Sequence, residues 1–198
     1  MRPRPACGIL VVTSPAQSHP STEIIWQTLN SLQNLDGLQE SPVTIVADGC
    51  RPLSSLDAGY ARRLAGRLEE HPCRFSKKGI VANEVATAYR LYKDRLALEI
   101  EASSALSGRV KFLELDYGGF AMAVKAGLQS IIASGSRHAL VVQHDRAFCH
   151  PLAKEDLKSI FSHLESCAGC RYVGFPSGTS KLLAAKTAAV YKLDHLLA

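Results

Sequence analysis

Apolar residues in this chain fall into short unbroken runs that end in turn chemistry, with stretches of helical spacing between them. Runs at 8–12 (GILVV), 43–47 (VTIVA), 110–115 (VKFLEL) and 139–142 (ALVV) predict four strands, and 172–175 predicts a weaker fifth. Continuous apolar runs, as opposed to clean alternation, mark strands covered on both faces. Between them, Ser21 suits a helix N-cap, with Ile25, Leu29 and Leu32 following at helical spacing. Phe120, Ala123, Val124, Gly127, Leu128 and Ile131 give the best amphipathic pattern in the chain, and 154–164 reads as a further short helix. Strand alternating with helix predicts an α/β fold with a mainly parallel sheet and helices on both faces.

Residues 55–107 interrupt that alternation. They carry two helical patterns, 56–68 and roughly 80–103, the second with Val81, Val85, Tyr89, Tyr92, Leu96 and Ile100 on one face. The stretch reads as a helical insertion between the second and third strands. Its many Arg and Lys residues suit a solvated face.

The 198 residues suit a single domain, 1–198, with a real core. A net charge of +5 is mild. It suits an anionic small ligand such as a nucleotide diphosphate, and no dense basic run with interleaved aromatics asks for nucleic acid. The opening MRPRPACGILVVTSP lacks the apolar core and cleavage site of a signal peptide, and no run approaches 18 apolar residues. These features predict a cytoplasmic protein with no transmembrane segment, and they leave room for peripheral membrane association. Six scattered cysteines, at 7, 50, 73, 149, 167 and 170, then read as reduced thiols.

In an open parallel sheet, ligands bind beyond the carboxyl ends of the strands. Those ends are Thr13-Ser14-Pro15, Asp48-Gly49, Asp116-Tyr117-Gly118-Gly119 and Gln143-His144-Asp145. A carboxylate there can accept from a base or ribose donor, or hold a divalent cation that bridges a diphosphate. Asp48 and Asp116 also suit turn-forming or helix-capping roles, and Asp145 also suits an ion pair with Arg146. His163, Cys167 and Cys170 have a spacing that could supply three zinc ligands, though no complete second cysteine pair accompanies them.

Several of these segments together resemble a known family. TEIIWQTLNSLQN follows the first strand, VTIVADGC ends in Asp-Gly, GGFAMAVKAGLQSIIASG places Gly119, Ala123, Gly127 and Gly135, and ALVVQHDRAFCHPLAKEDL follows. Over about residues 7–178 this order and spacing resembles the GT-A glycosyltransferases, a Rossmann-like fold, and especially the large inverting family of cellulose and hyaluronan synthases and bacterial sugar transferases. The resemblance implies a hexosyltransferase-like enzyme that moves a sugar from a nucleotide-diphosphate sugar to an acceptor the sequence does not name. It implies Mg2+ or Mn2+ as cofactor, with Asp145 as the metal ligand. Thr13, Ser14, Asp48, Gly119, Lys125, Gln143 and His144 are the implied nucleotide-sugar contacts.

The departures from the family are specific. Gln143-His144-Asp145 stands where the family has a DxD motif, so one carboxylate is lost. Lys125 stands where Asn is usual and Val124 where Arg is common. Glu155-Asp156 comes too early to match the family's base, no Gln-x-x-Arg-Trp motif occurs, and the catalytic residue stays unassigned. Two rivals therefore stand beside the transferase: a non-catalytic nucleotide-binding or scaffold module, and a nucleotidyltransferase. TSPAQSHPST after the first strand lacks the Gly-rich basic loop the latter requires.

Overall fold

The computed structural model describes residues 6–73, 79–104, 106, 108–116, 118–170 and 173–175. By contacts the chain divides into two compact units, Met1–Lys154 and Glu155–Ala198. In the first unit, β1 (Cys7–Thr13), β2 (Val43–Ala47), β5 (Val110–Glu114) and β6 (His138–Gln143) form one sheet in the order β5-β2-β1-β6, every pair parallel. Taken in chain order these are strands 3-2-1-4, the first four positions of the doubly wound Rossmann-like order. The fold is α/β with a parallel sheet flanked by helices, as the alternating pattern predicts.

Burial follows position in the sheet. The two central strands are buried along their whole length, which is why CGILVVT and VTIVA are apolar throughout. The outer strands β5 and β6 mix exposed and covered positions. Helix α4 (Phe120–Ala133) packs on the face carrying Gly8, Leu10 and Val12. Its Gly127 sits so close to the sheet that a Cβ there would lie 2.2 Å from Leu10 Cδ1. Leu10, Val12, Val46, Ala123 and Ile131 form the core beneath it.

Helix α1 (Glu23–Ser31) starts two residues after Ser21, whose hydroxyl accepts the Glu23 N–H. Between β2 and β5 come helices α2 (Ala58–Glu70) and α3 (Asn83–Ala102), and the described residues there add no strand to the four-stranded sheet. The second helix begins later than its periodicity predicts. Ile80–Val81 is instead a buried two-residue strand, β4, paired in parallel with β3 (Arg51–Pro52) in a sheet of its own. The Asn83 side chain then accepts the Ser54 N–H at 2.9 Å, holding the start of α3.

Helix α3 reaches across the carboxyl ends of the sheet. Tyr89 Oη donates to the Thr13 carbonyl at 3.0 Å, and Tyr92 Oη lies 3.0 Å from Thr13 Oγ1, both at the end of β1. Lys93 pairs with Glu114 at the end of β5. Trp26 Nε1, from α1, donates to Glu99 Oε2 at 2.6 Å.

In the second unit, α5 (Lys154–Ser166) carries Glu155 and Asp156 in its first turn, where the helix dipole favours negative charge. The fifth strand is not formed over Val173, Gly174 and Phe175; Gly174 breaks an apolar run already too short to stand alone, and Tyr172 lies outside the described residues. No helix among the described residues is long and apolar enough to cross a membrane.

Candidate functional site

The strand order reverses at β1: β2 lies on one side and β6 on the other. A crevice opens beyond the carboxyl ends of strands at such a reversal, because the connections leave in opposite directions. A cleft of about 240 Å³ is found there, lined by Val12, Ser14, Phe120, Gln143, His144 and Asp145. A larger cavity of about 360 Å³ lies at the opposite, amino ends of β2 and β5, beside Val43, Arg109 and Val110. The smaller cleft is the better candidate, since the strand ends bring its polar groups together.

Local geometry explains the presentation of the β6 end. The Arg146 N–H donates to the Gln143 carbonyl at 3.1 Å, closing a turn with His144 and Asp145 at its centre. At these two turn positions the side chains part: His144 is buried and Asp145 exposed. The turn is strapped to α1, with Thr28 Oγ1 donating to the His144 carbonyl at 2.7 Å and Ser31 Oγ accepting the Phe148 N–H at 2.9 Å. Burial pushes the His144 imidazole below its ordinary pKa, against the opposing pull of the Asp145 carboxylate and the Val12 carbonyl. Arg146 Nε stands 3.9 Å from Asp145 Oδ1, a loose and solvent-exposed pair.

Asp48 behaves differently. It is 2 % exposed, and its Oδ1 accepts the Gly119 N–H at 2.7 Å. Burial raises its pKa, while the Gly119 and Gly49 amides pull it back. The loop before α4 lies directly on the β2 end: a Cβ on Gly118 would sit 1.7 Å from the Gly49 carbonyl oxygen. Gly119, with φ of 144°, takes a conformation that disfavours side chains. Asp48 is thus a buried clamp on the start of α4.

The eight implied residues therefore separate into groups. Ser14, Gln143, His144 and Asp145 line the cleft. Thr13, fully buried and bonded to Tyr89 and Tyr92, supports it from β1, and Asp48 and Gly119 support it from β2 and α4. Lys125 does not join them. It is exposed, two residues from each of the buried Ala123 and Gly127, and so on the far side of α4 from the sheet. Asp116 is exposed.

A buried aromatic group behind the cleft carries little sequence signal. His19 stacks on Tyr92 with ring centroids 3.9 Å apart and on Tyr89 at 5.1 Å, and lies 6.1 Å from the His144 ring. The Ala16 N–H donates to His19 Nδ1 at 3.2 Å, while Nε2 is buried with no partner among the described residues. Burial and the neighbouring His144 lower the His19 pKa to about 4, so the ring is neutral at physiological pH. Tyr89 and Tyr92 were visible as a helical apolar face, but their hydroxyl partner is more than 70 positions away.

The donor set fits a hard cation only in part. Asp145 supplies one carboxylate, and the Gln143 amide and Ser14 hydroxyl supply neutral oxygens. No cluster of three His, Cys, Asp or Glu able to hold a metal occurs among the described residues, which include His163, Cys167 and Cys170. Mg2+ or Mn2+ would need oxygens from a bound phosphate to complete its shell. Set against known family models, curated proteins and solved structures, the chain matches none of them.

Proposed function

We propose that this chain binds a nucleotide-diphosphate sugar in the β1/β6 cleft and acts as a glycosyltransferase-type domain. The observation that carries the reading is the cleft's position, at the reversal of a parallel 3-2-1-4 sheet, with Asp145 displayed on its rim. Ser14 and Gln143 offer neutral hydrogen-bonding groups to ribose or sugar hydroxyls. Asp145 would share an Mg2+ or Mn2+ ion with the diphosphate, which such a leaving group needs for charge neutralisation.

A non-catalytic binding module is the second reading, and a specific observation favours it. Asp145 is the one carboxylate among the described lining residues, and Asp48 is committed to Gly119, so the described residues offer no second carboxylate as a general base. Calorimetric titration with UDP, GDP and ADP, with and without Mn2+, followed by a sugar-release assay on the matching sugar nucleotide, separates the two. Binding with turnover supports the transferase, binding without turnover supports the module, and no binding of any nucleotide removes both.

A further inference from the structure

Phe120 forms part of the cleft wall with about half of its surface (49%) open to solvent. A phenylalanine left in water forgoes burial that a core position would reward. Among the described residues the other lining groups are Val12, Ser14, Gln143, His144 and Asp145, with no Lys or Arg. The lining by itself therefore does little to attract a bare diphosphate. An aromatic face beside neutral hydrogen-bonding groups suits a flat, uncharged ring with polar edges.

The backbone that carries Phe120 is held from behind. Phe120 is the first residue of α4, directly after Gly119, whose N–H is held by Asp48. Gly118, one residue earlier, is seated against the Gly49 carbonyl with no room for a side chain. A recognition group held in place before binding loses less freedom when the ligand arrives.

We infer that Phe120 is the stacking platform for the ligand's nucleobase in the β1/β6 cleft, and that Asp48 is a positioning residue that sets this platform through Gly119. The inference rests on the nucleotide reading above and names which part of the ligand the cleft recognises. Stacking on an aromatic ring tolerates any base, because each presents a π face. Phe120 thus supplies affinity without choosing among uracil, guanine and adenine.

The test is calorimetry on wild type, Phe120→Ala and Phe120→Tyr with UDP, GDP and ADP in the presence of Mn2+, and with pyrophosphate and a sugar 1-phosphate as ligands lacking a base. Phe120→Ala is expected to weaken nucleoside diphosphates by about 5- to 100-fold, Phe120→Tyr to restore them, and the baseless ligands to bind all three proteins alike. Asp48→Ala should weaken nucleotides in the same way, Asp48→Asn should rescue because its amide oxygen can still accept from Gly119, and Asp48→Ala should add little in the Phe120→Ala background. Unchanged nucleotide affinity in Phe120→Ala, or an equal loss for pyrophosphate, overturns the stacking role and leaves the nucleotide reading intact. A wild-type protein that binds none of the nucleoside diphosphates overturns both.

Discussion

The Asp48 carboxylate and the Gly119 backbone N–H, 71 positions apart in sequence, meet at 2.7 Å and join the end of β2 to the start of α4. The bond is partly buried, so removing its acceptor leaves an amide without its protein partner and with restricted access to water. Asp48→Ala is expected to cost about 1–3 kcal/mol of stability. Asp48→Asn keeps an acceptor oxygen of the same reach and should cost clearly less. Urea denaturation of both variants measures the difference, and equal losses would mean that the charge, not the acceptor, matters at this position.

Two neighbouring glycines should fail for different reasons. Gly118→Ala drives a Cβ into the Gly49 carbonyl, a backbone atom that can move only if β2 moves. Gly119→Ala meets nothing within 4 Å but must hold φ at 144°. The expected losses are about 1–3 kcal/mol or more for the first, as for other overpacked sites, and on the order of 1–3 kcal/mol for the second. Gly119 combines φ 144° with ψ 133°, outside the left-handed helical region that Asn tolerates, so Asn should gain nothing over Ala at 119, and its larger side chain should be worse than Ala at 118. Denaturation midpoints for the four variants test that contrast.

Acid should weaken the fold through His19. Its pKa in the folded chain is about 4, against an ordinary 6.5. Between those values the unfolded chain holds a proton that the folded chain refuses. Stability from this group is therefore complete above pH 6.5 and is lost as pH falls toward 4. The full shift corresponds to about 3 kcal/mol. Tyr89 and Tyr92 pack against the ring and stay protonated throughout this range, while His144 is lowered in the same direction and adds to the effect. His19→Phe keeps a stacked ring and removes the titration, so its stability should fall less between pH 7 and 4.5. Parallel pH profiles for the variant and wild type would refute the assignment.

Metal binding should depend on the nucleotide. Asp145 offers one exposed carboxylate, and phosphates must complete the shell of a hard cation. Mn2+ is expected to bind the free protein weakly, with nucleotide and metal strengthening each other by the same factor. In Asp145→Asn that mutual gain should fall by at least about tenfold, the scale of losing a group that supports a metal. Metal-dependent UDP or GDP binding that persists undiminished in Asp145→Asn would sink the assignment.

The sheet was legible because central parallel strands must be apolar on both faces, and GILVV and VTIVA are. Helix α4 was legible for a related reason: Ala123, Gly127 and Ile131 mark one face at helical spacing. That same spacing puts Lys125 on the opposite face, so periodicity and family resemblance disagreed there, and the backbone follows periodicity. The clamp role of Asp48 was hidden, since nothing local ties position 48 to position 119. The His19, Tyr89 and Tyr92 stack was hidden for the same reason. Each residue has an ordinary local role, and their meeting is set by how α3 crosses the strand ends. At Ile80–Val81 the helical period and the strand compete over two residues, too short a span for sequence periodicity to decide.

The bond between Trp26 and Glu99 gives the molecule its own optical gauge. Trp26 is the chain's only tryptophan, and its indole N–H is held by a residue of the helix that crosses the strand ends. Any perturbation that unseats α3 would pass that donor from a carboxylate to water and change the surroundings of the sole indole emitter. The seating of α3 can therefore be followed by intrinsic fluorescence in the unlabelled protein.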